Sequence, residues 1–163
     1  MGVQEITLTL GNRPGVIQKI AKLLAEGRIN VASISVSSQG PKSFIRMVVS
    51  DPERGLWLLR KAGYHADATE LLVVSMEDKA GSLLRVLDML AQHKININSM
   101  TILVTREGQR TLIGLGVDNP VRARNMLSDS GFLSVSAENL VTNAGLVASA
   151  VVDTTTESVG LLF

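Results

Sequence analysis

The chain has 163 residues, with 16 lysines and arginines against 15 aspartates and glutamates, 45% hydrophobic residues and no cysteine. A net charge of +1 provides no long-range field to attract nucleic acid or anionic lipid, and the lack of cysteine excludes disulfides, thiolate metal sites and cysteine nucleophiles. The apolar segments are of strand length, well short of the ~18 residues of a membrane-spanning helix, and no secretory signal is visible. We therefore expect a soluble, cytoplasmic protein that binds neither nucleic acid nor membranes.

The sequence repeats one unit twice. Gly15 and Gly81 stand at equivalent places 66 positions apart, and Asp51 and Asn119, each followed by proline, stand 68 positions apart. The two additional residues of the second copy fall in a predicted hairpin tip, which absorbs changes of length at little cost. The mismatch in spacing therefore supports the alignment of the two copies.

The first half of copy one predicts a strand, a helix and a hairpin. Apolar and polar residues alternate over 5–10, which is typical of a half-buried strand. From Val16 apolar residues recur at helical spacing, and Gly27 stands where a left-handed helix terminus is expected. Strands follow over 29–38 and 43–50, with a glycine-proline turn between them.

A second helix and a last strand complete the copy. Asp51 is a favourable N-cap residue and the proline after it suits the first helical position, so the helix begins there. Gly63 ends it before a weak strand over 64–70. Copy two repeats the pattern, with strands over 71–76, 95–105, 111–117 and 133–137 and helices after Gly81 and Asn119.

The order βαββαβ predicts the fold. Two helices that each bury one apolar stripe pack on the same face of an antiparallel sheet, so we predict an α+β protein of two tandem ferredoxin-like units, 1–70 and 71–138. Units of about 67 residues have small cores, so the copies should support each other. Gly114 and Gly116 lie within a predicted strand and indicate close packing. The extension over 139–163 is either poorly ordered or packs on a partner chain.

Each copy places a short glycine-containing loop between a strand and a helix. The leading N–H groups of a helix have no intrahelical partner, and a glycine lets a ligand approach them, so a carboxylate bound there gains about 0.3 to 2 kcal/mol. Asn12 adds a neutral donor and acceptor to the first loop, whereas Asp78 adds a negative charge to the second. On the residues alone, helix capping by Asn12 and Asp78 is an open alternative.

These loops resemble those of a known family. Residues 12–17 (Asn-Arg-Pro-Gly-Val-Ile), with 29–31 (Ile-Asn-Val) after the helix, are similar to the signature of ACT domains, small regulatory modules that bind amino acids. Residues 78–83 and 95–97 are a looser instance of the same pattern. The resemblance implies that the units join their sheets side by side. It also implies that a ligand binds at the seam between this loop and a neighbouring domain.

The resemblance further implies a set of ligand-binding residues. The first loop is most similar to that of the serine-binding regulatory domain of phosphoglycerate dehydrogenase, which implies that Asn12 and Asn30 hold the ligand. Leu10 stands where that domain carries a histidine, which leaves the ligand open, and Asp78 would meet the ligand's ammonium group. The candidate residues are Asn12, Arg13, Pro14, Gly15, Val16, Ile17 and Asn30 in copy one and Asp78, Gly81, Ser82, Leu83 and Asn96 in copy two.

The predicted function is regulatory. The sequence contains no Gly-x-Ser-x-Gly, no His-x-x-x-His and no phosphate loop, so we predict no catalytic residues, no metal and no cofactor. The resemblance implies a homodimer or higher homo-oligomer that binds an amino acid and regulates a separate enzyme. The alternative is a ligand-free ACT module that only assembles partners. RNA-binding domains share the topology but need exposed aromatic residues on the central strands, where the sequence offers only Phe44 in one copy and Leu112 in the other.

Overall fold

The computed structural model describes residues 3–105 and 110–134. The predicted strand over 133–137 is therefore described only to Ser134, and the extension over 139–163 lies outside the described residues. The elements are β1 (Val3–Gly11), α1 (Val16–Glu26), β2 (Val31–Gln39), β3 (Lys42–Val49), α2 (Pro52–Lys61), β4 (Ala66–Glu77), α3 (Ser82–Gln92), β5 (Ile97–Thr105), β6 (Arg110–Val117), α4 (Pro120–Asp129) and β7 (Leu133–Ser134). Within these ranges, no helix has the length and apolar character needed to cross a membrane.

One strand, β4, serves both units. The strands predicted over 64–70 and 71–76 form a single strand, whose first half pairs with β1 and whose second half pairs with β6 and β7. The sheet is therefore continuous, in the order β2-β3-β1-β4-β6-β5. This antiparallel sheet and its four helices confirm the predicted tandem of ferredoxin-like units. The proposed boundary after residue 70 falls inside β4.

The second helix of each unit begins where the sequence predicts. The Asp51 side chain accepts a hydrogen bond from the Arg54 amide at 3.0 Å, and the Asn119 side chain accepts one from the Arg122 amide at 3.1 Å. A proline occupies the first position of both α2 and α4, where its missing N–H costs no helical hydrogen bond. These local signals fix the start of each helix.

The end of α1 differs from the prediction. Gly27 has a φ of −74°, and the left-handed residue is Arg28, with a φ of 57°. Gly27 is required for another reason, because a Cβ at this position would overlap Leu58 Cδ1. The left-handed residue stands at the same place in unit two, where Lys94 has a φ of 54° and follows His93, so its position does not depend on a glycine.

Three apolar clusters hold the fold together. Two of them lie under the helices, one in each unit, and contain residues such as Ile6 and Leu24 in unit one and Leu90 and Leu115 in unit two. The third lies on the opposite face of the sheet, here called the inner face, and combines residues of both units. Its buried members are Val3, Val48, Leu71, Val73, Leu103 and Leu112. The two copies thus share a core, as their small size predicts.

The sheet curls around its inner face until its outermost strands, β2 and β5, contact each other. At this contact Ser33 Oγ lies 3.3 Å from Thr101 Oγ1. Room on the inner face is limited, since a Cβ at Gly114 would lie 2.9 Å from Leu71 Cδ1 and one at Gly116 would overlap the hydroxyl of Ser99. The predicted close packing at these two glycines is confirmed.

A carboxylate is buried on the inner face, between the units. Glu5 of β1 is only 3% exposed, and the Ser99 hydroxyl of β5 donates a hydrogen bond to its Oε2 at 3.4 Å. Burial raises the pKa of the Glu5 carboxyl, while the positive charge of Arg46 and the hydrogen bond from Ser99 partly oppose this increase. Glu5 therefore connects the two units by a hydrogen bond, and its burial disfavours the ionised form of its carboxyl.

Candidate functional site

The two predicted loops have the same backbone conformation at the start of their helices. Gly15 and Gly81 are the N-cap residues of α1 and α3, with φ values of 83° and 87°, a left-handed region that favours glycine. No side chain caps either helix. The interpretation of Asn12 and Asp78 as helix caps is therefore wrong. The first amide of each helix donates to the carbonyl of Arg13 or Lys79, and the next two amides have no acceptor among the described residues, so these remain available to a ligand.

The first loop is exposed and carries a positive charge. The amide of Asn12 donates to the carbonyl of Pro41 at 2.8 Å, which ties the loop to the β2–β3 turn. Arg13 is exposed beside the start of α1, where its charge suits an anion. Val16 packs against the core of unit one, whereas Ile17 is exposed on the first turn of α1. The loop therefore offers amide, amide side-chain and guanidinium donors beside an apolar side chain.

The second loop has the same glycine but different chemistry. Asp78 is exposed, and the neighbouring Lys79 forms an ion pair with Glu77. Ser82 at the first position of α3 is buried, and Leu83 packs against the core of unit two. In the described part of the chain, no three side chains of the kinds that bind metal ions come together. The two loops thus share a conformation without sharing a charge.

Asn30 and Asn96 are held at the starts of β2 and β5. The Asn30 amide donates to the Ser50 hydroxyl at 3.0 Å, and its carbonyl accepts from the Ser50 amide at 2.9 Å. The Asn96 amide donates to the Asp118 carboxylate at 3.2 Å, and its carbonyl accepts from the Asp118 amide at 3.1 Å. Main-chain bonds fix both residues, and their exposed side chains remain available.

Asn12 and Asn30 lie at opposite ends of unit one. Asn12 follows the residue that pairs with Lys42 at the start of β3, whereas Asn30 precedes the residue that pairs with Val49 at its end. At about 3.4 Å per residue, these ends are about 24 Å apart. A single small ligand can therefore not contact both asparagines of the same unit. The other predicted residues of copy one lie at the Asn12 end.

The outermost strands carry an apolar surface that the sequence does not predict. Ile34 and Val36 of β2 lie on the helix side of the sheet, yet they are 48% and 42% exposed. Met100 and Ile102 of β5 are exposed in the same way. In the sequence these residues alternate with polar ones like those of any half-buried strand. The order of the strands shows that none of the described helices covers them.

Comparison with known proteins identifies the family. The family model of the ACT domain pair matches residues 1–142. The fold is similar to that of a protein from Bacteroides thetaiotaomicron, with a TM-score of 0.80 and 19% identity over 86% of this chain and 96% of that chain.

The fold is also similar to that of regulatory subunits of aspartate kinase. The ligand-free subunit from Thermus thermophilus has a TM-score of 0.60 and 15% identity over 80% of this chain and 93% of that chain. The subunit from Thermus flavus has a TM-score of 0.55 and 17% identity over 88% and 94%. No protein of curated function matches the sequence. With its repeated loops, shared sheet and a family match over most of its length, the chain belongs to the family of ACT domain pairs.

Proposed function

We propose that this ACT domain pair is a regulatory protein of the cytoplasm that binds an amino acid and acts on a separate partner enzyme. The observation that carries the proposal is the pair of uncapped helix starts, each behind a left-handed glycine. A carboxylate at such a position accepts hydrogen bonds from the free amides and gains about 0.3 to 2 kcal/mol from the helix dipole. The fold shared with regulatory subunits of aspartate kinase supports a regulatory role.

We place the first ligand site at a seam between two copies of the chain. Among the described strands, β2 pairs only with β3, and it contacts β5 near Ser33, so we assign the further strand to the part of its outer edge beyond that contact. Ile34 and Val36 provide an apolar surface along that edge. If β2 pairs in antiparallel fashion with β2 of a second copy, the start of one strand lies beside the end of the other. This dimer brings Asn30 of one copy towards the loop that carries Asn12 of the other.

Thermal denaturation in the presence of each of the twenty amino acids tests the proposal. A ligand present at 100 times its Kd stabilises the folded state by about 2.7 kcal/mol, which corresponds to an increase in Tm of about 5 to 11 °C. The substitution Gly15→Asp puts a carboxylate where the carboxylate of the ligand would bind, so this variant should lose the increase.

Gly63→Asp is the matched control. Gly63 has a φ of 88°, close to the 83° of Gly15, and a Cβ there would meet nothing within 4 Å. Both variants therefore carry the same backbone strain and the same charge, but only Gly15 lies in the ligand loop. An equal response of the two variants to the amino acid, or no response of the unmodified protein to any of the twenty, would overturn the proposal.

The exposed surface of β2 also favours a second candidate function, assembly of partners without a ligand. Ile34 and Val36 are available for strand pairing whether or not an amino acid is bound. This candidate predicts the same dimer, so oligomeric state does not distinguish the two functions. The amino acid dependence of Tm does, because assembly alone predicts no increase.

A further inference from the structure

A cleft lies beside α4 of unit two, on the helix side of the sheet. It has a volume of about 510 Å³, within the range of about 300 to 1,000 Å³ that is usual for small-molecule sites. His93 at the end of α3 lines it, together with Arg122, Asn125, Asp129 and the nearly buried Met126 of α4. None of the residues predicted for the ligand loops lines this cleft.

The cleft carries one positive and one negative side chain, at opposite ends of α4. Arg122 lies in the first turn of the helix, and Asp129 lies in its last turn. A spacing of 7 residues places them on the same side of the helix, about 10 Å apart along its axis. Both are exposed, and neither forms an ion pair within residues 3–105 and 110–134. Both charges are therefore available to a ligand.

Both charges also oppose the dipole of α4. A helix carries partial positive charge at its start and partial negative charge at its end, so Arg122 and Asp129 each destabilise it slightly. The corresponding helix of unit one, α2, has the favourable arrangement, with Glu53 in its first turn and Lys61 in its last. A ligand with an anionic group at Arg122 and an ammonium group at Asp129 would compensate for both unfavourable charges.

The same place in unit one has different chemistry. At positions 68 residues earlier, Asn125 and Asp129 are replaced by Trp57 and Lys61. Lys61 Nζ lies 4.6 Å from the centroid of the Trp57 ring. An aromatic ring and a cation therefore stand where unit two has an amide and a carboxylate. The opposite charges of the cleft are a feature of unit two and do not follow from the fold that both units share.

We infer that unit two binds a small zwitterion in this cleft, with a carboxylate that pairs with Arg122 and an ammonium group that pairs with Asp129. A guanidinium offers two parallel donors to a carboxylate. A single carboxylate balances the one guanidinium, whereas a phosphate monoester would bring a charge of about −1.5 to −2. The chemical class is therefore an amino carboxylic acid whose two charges each find one opposite charge on α4.

The spacing of the two side chains determines where the charges of the ligand stand. Because Arg122 and Asp129 are about 10 Å apart along the helix, the charges stand at opposite ends of a stem of several carbon atoms. Val121, which is 65% exposed, and Met126 provide apolar surface for that stem. An α-amino acid carries both charges on one carbon and does not span this distance. The site is separate from the seam of the proposed function and does not rest on it.

Titration of the ¹⁵N-labelled full chain with 6-aminohexanoate, followed by NMR, tests the inference. This probe carries a carboxylate and an ammonium group at the two ends of a methylene chain. It should shift the amide resonances of Arg122, Asn125 and Met126 in a saturable way. Hexanoate, which lacks the ammonium group, and hexylamine, which lacks the carboxylate, should each bind more weakly by about tenfold or more.

Two variants assign each charge of the probe to its partner. Arg122→Gln should weaken the binding of 6-aminohexanoate by about tenfold or more and remove its advantage over hexylamine. Asp129→Asn should weaken it by a similar factor and remove its advantage over hexanoate. Arg124→Gln is the matched control, since Arg124 lies on the same helix but pairs with Glu70 at 2.9 Å, and it should leave the affinity unchanged. All three positions are exposed, so these replacements leave the core intact.

Three results would overturn the inference. These are no saturable shift along α4, unchanged affinity in Arg122→Gln or Asp129→Asn, and binding of free alanine at α4 as tightly as 6-aminohexanoate. Gly15→Asp separates this site from the seam, because it should abolish the response to amino acids there and leave the binding of 6-aminohexanoate in unit two intact.

Discussion

The packing of Leu71 against Gly114 on the inner face predicts a strong coupling between two substitutions. Leu71 is buried in the cluster that both units share, so Leu71→Ala should lower the free energy of unfolding by about 2 to 5 kcal/mol. In Gly114→Ala the new methyl group would lie 2.9 Å from Leu71 Cδ1. Overpacking of this kind lowers the free energy of unfolding by about 1 to 3 kcal/mol. Replacement of a glycine within a strand raises it by about 0.5 to 1 kcal/mol.

The double variant should be more stable than the sum of the single effects. Without the Leu71 side chain, the methyl group of Gly114→Ala enters vacated space, so the same substitution becomes neutral or stabilising. We therefore expect a coupling free energy of about 1 to 3 kcal/mol from urea denaturation of the four proteins in the cycle. Additivity of the two substitutions within about 0.5 kcal/mol would refute the described packing of the inner face.

Leu72→Ala provides the matched control for this cycle. Leu72 is the neighbour of Leu71 on β4 and is equally buried, but it lies in the core under the helices of unit two. As a single substitution, Leu72→Ala should lower the free energy of unfolding by an amount similar to that of Leu71→Ala. Its effect should be additive with that of Gly114→Ala, because the two side chains lie on opposite faces of the sheet.

Two further predictions concern the buried carboxylate and the helix caps. Because burial raises the pKa of Glu5 in the folded state above its usual value of 4.5, the stability of the protein should fall as the pH rises through and above that value. Glu5→Gln should therefore be more stable than the unmodified protein at pH 7 but not at pH 4 in urea denaturation, and lower stability at pH 7 would contradict this. Asp51→Ala and Asn119→Ala should each cost about 0.5 to 2 kcal/mol in the same assay, whereas Asp51→Asn, which keeps an acceptor, should cost less. Equal losses in Asp51→Ala and Asp51→Asn would show that the cap does not act through its hydrogen bond.

The order and type of the elements could be predicted because the signals for them are local. Asp51 and the proline after it act on the helix that they begin, and alternation along β1 reflects the two faces of one strand. The continuity of β4 is not local. Its second half is buried on both faces, by the helices of unit two and by the inner cluster, so its apolar run differs from the mostly exposed first half. In the sequence, this change within one strand resembles a boundary between two strands.

The candidate site was predictable in its parts but not in its assembly. Gly15 and Gly81 stand out in the sequence because the left-handed backbone conformation that they adopt is one that other residues disfavour. The distance between Asn12 and Asn30 depends on how β3 pairs with its two neighbours, which residues far apart in the sequence determine. The left-handed residue Arg28 departs from the local preference of the chain, since the positive φ falls on an arginine although a glycine precedes it.

The shared strand β4 also restricts how this protein can transmit a signal. This strand of 12 residues runs unbroken from the ladder with β1 into the ladder with β6, and the inner cluster packs residues of both units against it. Hinge closure, in which a ligand draws two lobes together, would disturb the packing of this shared cluster. We therefore expect the proposed regulation to act through the arrangement of whole subunits around the strand that the two units share.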